Sequence, residues 1–229
     1  MNVIMLHSVG NDKSAWCQNW LSVSIEHFSN FCKFLNKNNY NTLFLDDWYD
    51  LQNESSSISE KQIVLTRNDD TYVTLEGRTE VANNLVDQTK DSVIFVSIHA
   101  NASLDTKARG FEVWYLPPDY RRDLITADNL DEDSKELAPI LNTMLEEEYT
   151  RESILLAQEI IREFDRRVGN KSINRGTREE SWFVVRNAKM PAVLIELGFA
   201  TNEQEATLLA NPGYLRTMAE GVYSAIETF

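Results

Sequence analysis

The run Val93-Ile-Phe-Val-Ser-Ile-His-Ala-Asn-Ala102 constrains this chain more than any other stretch. Apart from Ser97 its opening residues are apolar and mostly β-branched or aromatic, the pattern of a strand buried on both faces, and it ends abruptly in His99 and Asn101. The same grammar recurs where Val3–Leu6 runs into His7 and where Ala192–Ile195 runs into Glu196-Leu-Gly-Phe199. A strand with no solvated face needs helices on both sides of its sheet, which narrows the fold to the α/β class. Ligands of an open α/β sheet gather beyond the carboxyl ends of its parallel strands. The imidazoles of His7 and His99 and the carboxylate of Glu196 therefore point to one edge, and these are the ligand types that a catalytic zinc ion takes while keeping an open position.

Around these strands the apolar period alternates between strand and helix. Ile25, Phe28, Phe31, Cys32 and Leu35 predict a helix capped by Ser24, with Glu26 in its first turn. Thr42–Leu45 and Gln62–Thr66 read as strands separated by the polar loop Asn53–Glu60, and Leu75–Val86 as a helix. Phe111–Leu116 is a strand stopped by Pro117 and Pro118. An acidic, helix-rich insertion follows over 117–150, with Leu137, Ile140, Leu141, Met144 and Leu145 at helical spacing. Ile154–Val168 is an amphipathic helix, Trp182–Val185 and Ala192–Ile195 are strands, and Glu203–Ala210 and Tyr214–Phe229 are helices. The order predicts a single α/β domain over 1–229 with a mixed, mainly parallel sheet flanked by helices. Asn39–Asp47 and Lys61–Asp69 compete for the place of the strand after the first helix.

At 229 residues the chain is long enough for one full core, and 42% hydrophobic with 25% charged residues excludes wholesale disorder. A formal net charge of −14 argues against a nucleic-acid partner and against adhesion to an anionic membrane or wall polymer. Cys17 and Cys32 are too few for a thiolate cluster and read as small buried hydrophobes. No apolar run approaches the roughly 20 residues of a membrane span. No basic segment followed by an apolar core opens the sequence, so as written it carries no export signal, and its location stays open.

Leu65-Thr-Arg67 with Asp70, then Leu75, Arg78 and Ala82-Asn83, lead into Ser97-Ile-His-Ala-Asn101 and Gly110-Phe-Glu-Val-Trp-Tyr115. Asn174-Arg-Gly176 and Met190-Pro-Ala-Val-Leu-Ile-Glu-Leu-Gly-Phe199 with Asn202 complete the series. On these motifs the chain from Ile63 to Phe229 resembles the zinc-dependent N-acetylmuramoyl-L-alanine amidases of the type-3 family, whose fold is phosphorylase/hydrolase-like. The resemblance implies hydrolysis of the amide between N-acetylmuramic acid and L-alanine in peptidoglycan, with His99 matching a zinc ligand and Glu196 the catalytic glutamate. Residues 1–60 depart from the family's opening. Met5-Leu-His-Ser-Val-Gly10, Trp20-Leu-Ser-Val-Ser24 and Asn39-Tyr-Asn-Thr42 resemble instead the start of a polysaccharide deacetylase. That family's histidine pair four residues apart is not available from His7, His27 and His99.

In order and local structure His7 falls where the amidases place their first histidine, and Glu26 where they place the ligand glutamate. The expected site is therefore His7, Glu26 and His99 on zinc, with Glu196 as general acid/base. Glu26 equally suits a first-turn acid at the helix's positive end, and His27 a solvated face. Arg175 and Arg186 are candidates for the peptide's carboxylates or for ordinary salt bridges. Some cell-division amidases carry, where this chain has its 117–150 insertion, a helix that occludes the zinc until a regulatory partner removes it. One of Glu146-Glu-Glu148 would cap the metal in such a lid; the other reading is a solvated acidic face over Leu141 and Leu145. A metal-dependent deacetylase and a non-catalytic binder of peptidoglycan fragments are the alternative functions.

Overall fold

The computed structural model describes residues 2–5, 41–44, 62–66, 72–88, 92–125 and 134–229. Its strands are β1 (Asn2–Met5), β2 (Asn41–Phe44), β3 (Gln62–Leu65), β4 (Ile94–Asn101), β5 (Phe111–Tyr115), β6 (Asn174–Glu179) and β7 (Ala192–Phe199). Its helices are α1 (Leu75–Gln88), α2 (Ala138–Val168), α3 (Phe183–Arg186), α4 (Glu203–Leu209) and α5 (Pro212–Thr228). The strands form one sheet in the order β2-β3-β1-β4-β7-β5-β6. Every neighbouring pair is parallel except β5 and β7. The fold is thus the mixed, mainly parallel α/β sheet that the apolar runs predict. The two competing stretches both enter it: β3 lies beside β1, and β2 adds to the edge beyond.

Alternation along the central strands assigns the two faces. Ile94, Val96, Val113, Val193 and Ile195 join Phe164 of α2 and Met218 of α5 in one core. Phe95, Ala192 and Leu194 turn the other way, onto Ala82 and Leu85 of α1 and Val184 and Val185 of α3. Ser97, His99, Glu112 and Glu196 continue the parity of this second face, so the polar row belongs to the side covered by α1 and α3.

Three local expectations change. Trp182–Val185 does not pair as a strand; Phe183–Arg186 is a helical turn with Val184 and Val185 buried beneath it. A four-residue apolar run satisfies either element, and here the turn fills the core below β7. Asn174–Glu179, which carries no apolar signature, is the strand at the β6 edge, where the outer side needs no apolar cover. The insertion's helix and the amphipathic helix after it are one element, α2, running unbroken for 31 residues. No described helix is long and apolar enough to cross a membrane.

Candidate active site

β4 and β7 lie parallel and in register from Phe95↔Ala192 to His99↔Glu196, which sets the imidazole and the carboxyl side by side. The next strand continues the row, because β5 pairs antiparallel with Glu112 opposite Glu196. His99, Glu196 and Glu112 therefore stand abreast on neighbouring strands. Just past His99 the register shifts, Asn101 pairing with Phe199 rather than with Gly198. Gly198 takes φ +152° there, a conformation that side chains rarely adopt, and a Cβ at this position would lie 3.3 Å from Glu205 Oε2. Such a bulge bends the strand beside the row and re-aims the side chains beyond it.

Buried Ser97, two residues before His99 on the same face, shares a 2.7 Å hydrogen bond with His99 Nε2 and so fixes the ring. Glu196 is held differently. Its Oε2 is buried and has no hydrogen-bond partner among the described residues. Burial first, and the Glu112 charge second, push the Glu196 carboxyl up from 4.5 to about 8. An orphaned carboxyl oxygen of this kind is costly unless something outside the resting chain engages it.

Glu112, which the sequence reading passes over inside a larger motif, is 2% exposed and fully engaged. Oε1 accepts from Asn101 Nδ2 at 2.8 Å, and Oε2 accepts from Arg175 Nε at 2.7 Å and forms an ion pair with Arg178 Nε at 2.8 Å. It fastens the strand after His99 to the edge strand β6. Glu205 does the same below the bulge: its carboxylate accepts from the backbone N–H groups of Gly110 and Phe199 and from the Ser172 hydroxyl. Asn202 caps α4 by accepting from Glu205 N, which places that carboxylate.

Of the predicted site residues, the structure brings His99 and Glu196 together. His7 and Glu26, like His27, Cys17 and Cys32, lie outside the described residues. Among the described residues no group of three or more histidine, cysteine, aspartate or glutamate side chains forms a metal cluster. Arg175 belongs to the row, whereas Arg186 stacks over Phe183 instead. The acidic triplet splits: Glu147 and Glu148 are exposed, while Glu146 is fully buried. It pairs at 2.7 Å with Arg122, which also donates to the Ala188 carbonyl ahead of β7. Glu146 is thereby committed near the amino end of that strand, away from Glu196.

A mixed sheet that sets an imidazole beside a carboxyl with an unpartnered oxygen, in a row closed by arginines, has the layout of a hydrolytic α/β site. Residues 50–228 match the family described as N-acetylmuramoyl-L-alanine amidase, and the chain belongs to that family. It is 25% identical over 183 residues to the amidase AmiA of Escherichia coli, covering 72% of this chain and 61% of AmiA. It spans about three fifths of the length of the first curated relatives it matches. The crystal structure of an N-acetylmuramoyl-L-alanine amidase from Clostridium difficile 630 aligns with TM-score 0.58 and 28% identity, over 99% of this chain and 94% of that one. The CwlD amidase of Clostridioides difficile, solved in complex with the GerS lipoprotein, shares the fold at 18% identity and TM-score 0.59, over 99% and 96%.

Proposed function

We propose that this chain is a zinc-dependent hydrolase that cleaves the amide between N-acetylmuramic acid and L-alanine in peptidoglycan, with Glu196 as its general acid/base. The observation that carries the reading is the buried, unpartnered Oε2 of Glu196, on a residue standing in register with His99. The family match and the likeness to solved amidases supply the reaction and the substrate class.

Of the three expected ligands, His99 is the one among the described residues, and it suits a zinc ion. His99 is a histidine whose ring is already oriented by a hydroxyl, the outer contact a metal-ligating imidazole needs. The chain leaves β1 at Met5, which pairs with Ser97, and in sequence His7 is as far beyond Met5 as His99 is beyond Ser97. His7, Glu26 and His99 would hold the ion. Zinc, when bound, supplies Lewis acidity that polarises a carbonyl and makes water acidic near neutral pH. Glu196 takes a proton from the attacking water and delivers it to the departing alanine amine. A carboxyl that titrates near neutrality suits a group that must first accept a proton and then give it up.

The 117–150 insertion is the segment on which a regulatory partner would act. Leu137, just ahead of α2, and Ile140, Leu141 and Met144 in its first turns are exposed to solvent, and CwlD, which shares the fold, assembles with a lipoprotein.

Metal analysis tests the ligand set. The intact chain is expected to bind zinc in a one-to-one ratio, and His7→Ala, Glu26→Ala and His99→Ala each to lower its affinity. Unchanged zinc in His7→Ala and Glu26→Ala would show the amino-terminal ligands to be misassigned.

A further inference from the structure

The row does not end at Glu112. On the edge strand β6, Arg175 and Arg178 both direct Nε to the same Glu112 oxygen, so two guanidinium cations share one carboxylate. One positive charge is left over, in a chain whose formal net charge is −14. The nearest acids of β6 do not cancel it: Glu179 accepts from the Tyr115 hydroxyl at 3.0 Å, on the α2 side of the sheet, and Glu180 accepts from Ser181 N.

Both guanidiniums are braced rather than loose. Arg175 stacks over the Phe199 ring at 5.1 Å, and Arg178 over Trp114 at 5.7 Å, whose ring is in turn held edge-on by Trp182. The Arg175 side chain is 29% exposed and that of Arg178 41% exposed, so they are reachable from solvent while Glu112 beneath them is not. A fixed fork of donors carrying surplus charge is the chemistry that recognises a carboxylate.

We propose that Arg175 and Arg178 form a carboxylate-binding subsite that reads an acidic residue of the substrate peptide, two to three residues beyond the scissile amide. The spacing follows from the sheet. β6 lies two strands from Glu196, about 10 Å at the usual strand separation. An extended peptide covers that in roughly three residues, fewer when the carboxylate sits on a side chain. The subsite rests on the amidase reading, because that reading supplies the peptide. In it Glu112 is a positioning residue, holding both arginines and Asn101 to one carboxylate.

The test compares two synthetic muramoyl peptides that differ only in whether the acidic residue carries a free carboxylate or a carboxamide. The zinc-loaded protein is expected to favour the carboxylate at least tenfold in kcat/KM, mainly through KM. Arg178→Ala should bring that preference close to one, and Arg178→Lys, which keeps a cation for Glu112, should restore part of it. A wild-type preference near one, or a preference that Arg178→Ala leaves intact, overturns the subsite. Cleavage of neither peptide overturns the amidase reading instead. Calorimetric binding of the uncleaved peptides then decides the subsite: tighter binding of the carboxylate form supports it, and equal affinities overturn it.

Discussion

Glu196→Gln loses about 100- to 10,000-fold in kcat against muropeptide, the span that general acid/base catalysis contributes, with the protein folded and its zinc content unchanged. The amide keeps the shape of the side chain and removes its ability to carry a proton. The same substitution has the opposite sign on stability in the zinc-free chain. Glu196 is held at about 8 when folded, against an ordinary 4.5, mainly because burial disfavours its charge. Between those two values the folded chain keeps a proton that the unfolded chain has released. Wild-type stability is therefore fully present below the lower value and is lost as pH rises towards the upper one. Glu196→Gln does not titrate, so unfolding curves of the two zinc-free proteins should separate in favour of the variant as pH rises from 4.5 to 8. A variant with reduced rate and lower stability throughout that window would mark Glu196 as a structural carboxylate rather than a catalytic one.

Glu205→Ala has the largest expected effect on stability. Its carboxylate is the acceptor for the backbone N–H groups of Gly110 and Phe199, each at 2.8 Å, and for the Ser172 hydroxyl. Truncation strands two buried backbone donors at about 1–3 kcal/mol each, so the loss is about 2–6 kcal/mol. That is a large fraction of the roughly 5–15 kcal/mol that holds a domain folded. The midpoint of urea unfolding should fall accordingly, and Glu205→Gln, which keeps one oxygen, should fall by less. A midpoint for Glu205→Ala within experimental error of wild type would show that water or a neighbour replaces the lost acceptor. Because Phe199 lies under Arg175 and just past the bulge after Glu196, surviving Glu205→Ala protein should also show a raised KM.

How far the sequence goes is clearest from which carboxylates it exposes. Glu196 is legible because a charge that interrupts a doubly buried apolar strand has no structural excuse, and His99 because it ends one. Glu112 and Glu205 sit in stretches where an acidic residue is unremarkable. Glu112 becomes part of the row only because β5 runs antiparallel beside β7, a pairing that no local period encodes. Glu205 meets Gly110, 95 residues away in sequence, and only the closed fold shows that they touch. The edge strand β6 escapes for a related reason. Half of its partners are missing, so Asn174–Glu179 needs none of the apolar residues that mark a buried strand. Trp182–Val185 fails in the opposite direction: its apolar residues signal burial and leave strand and helical turn equally open. The acidic run Glu146-Glu-Glu148 looks uniform in sequence, yet one turn of helix sends Glu146 inward to Arg122 and leaves its neighbours in water.

Mass spectrometry of muropeptides after incubation with the zinc-loaded chain tests the account most directly. It predicts two products, a peptide with a newly freed alanine amine and a glycan that keeps its lactyl group and its N-acetyl group, with formation suppressed by chelator and by Glu196→Gln. Intact muropeptide, or release of acetate in place of the peptide, would contradict it.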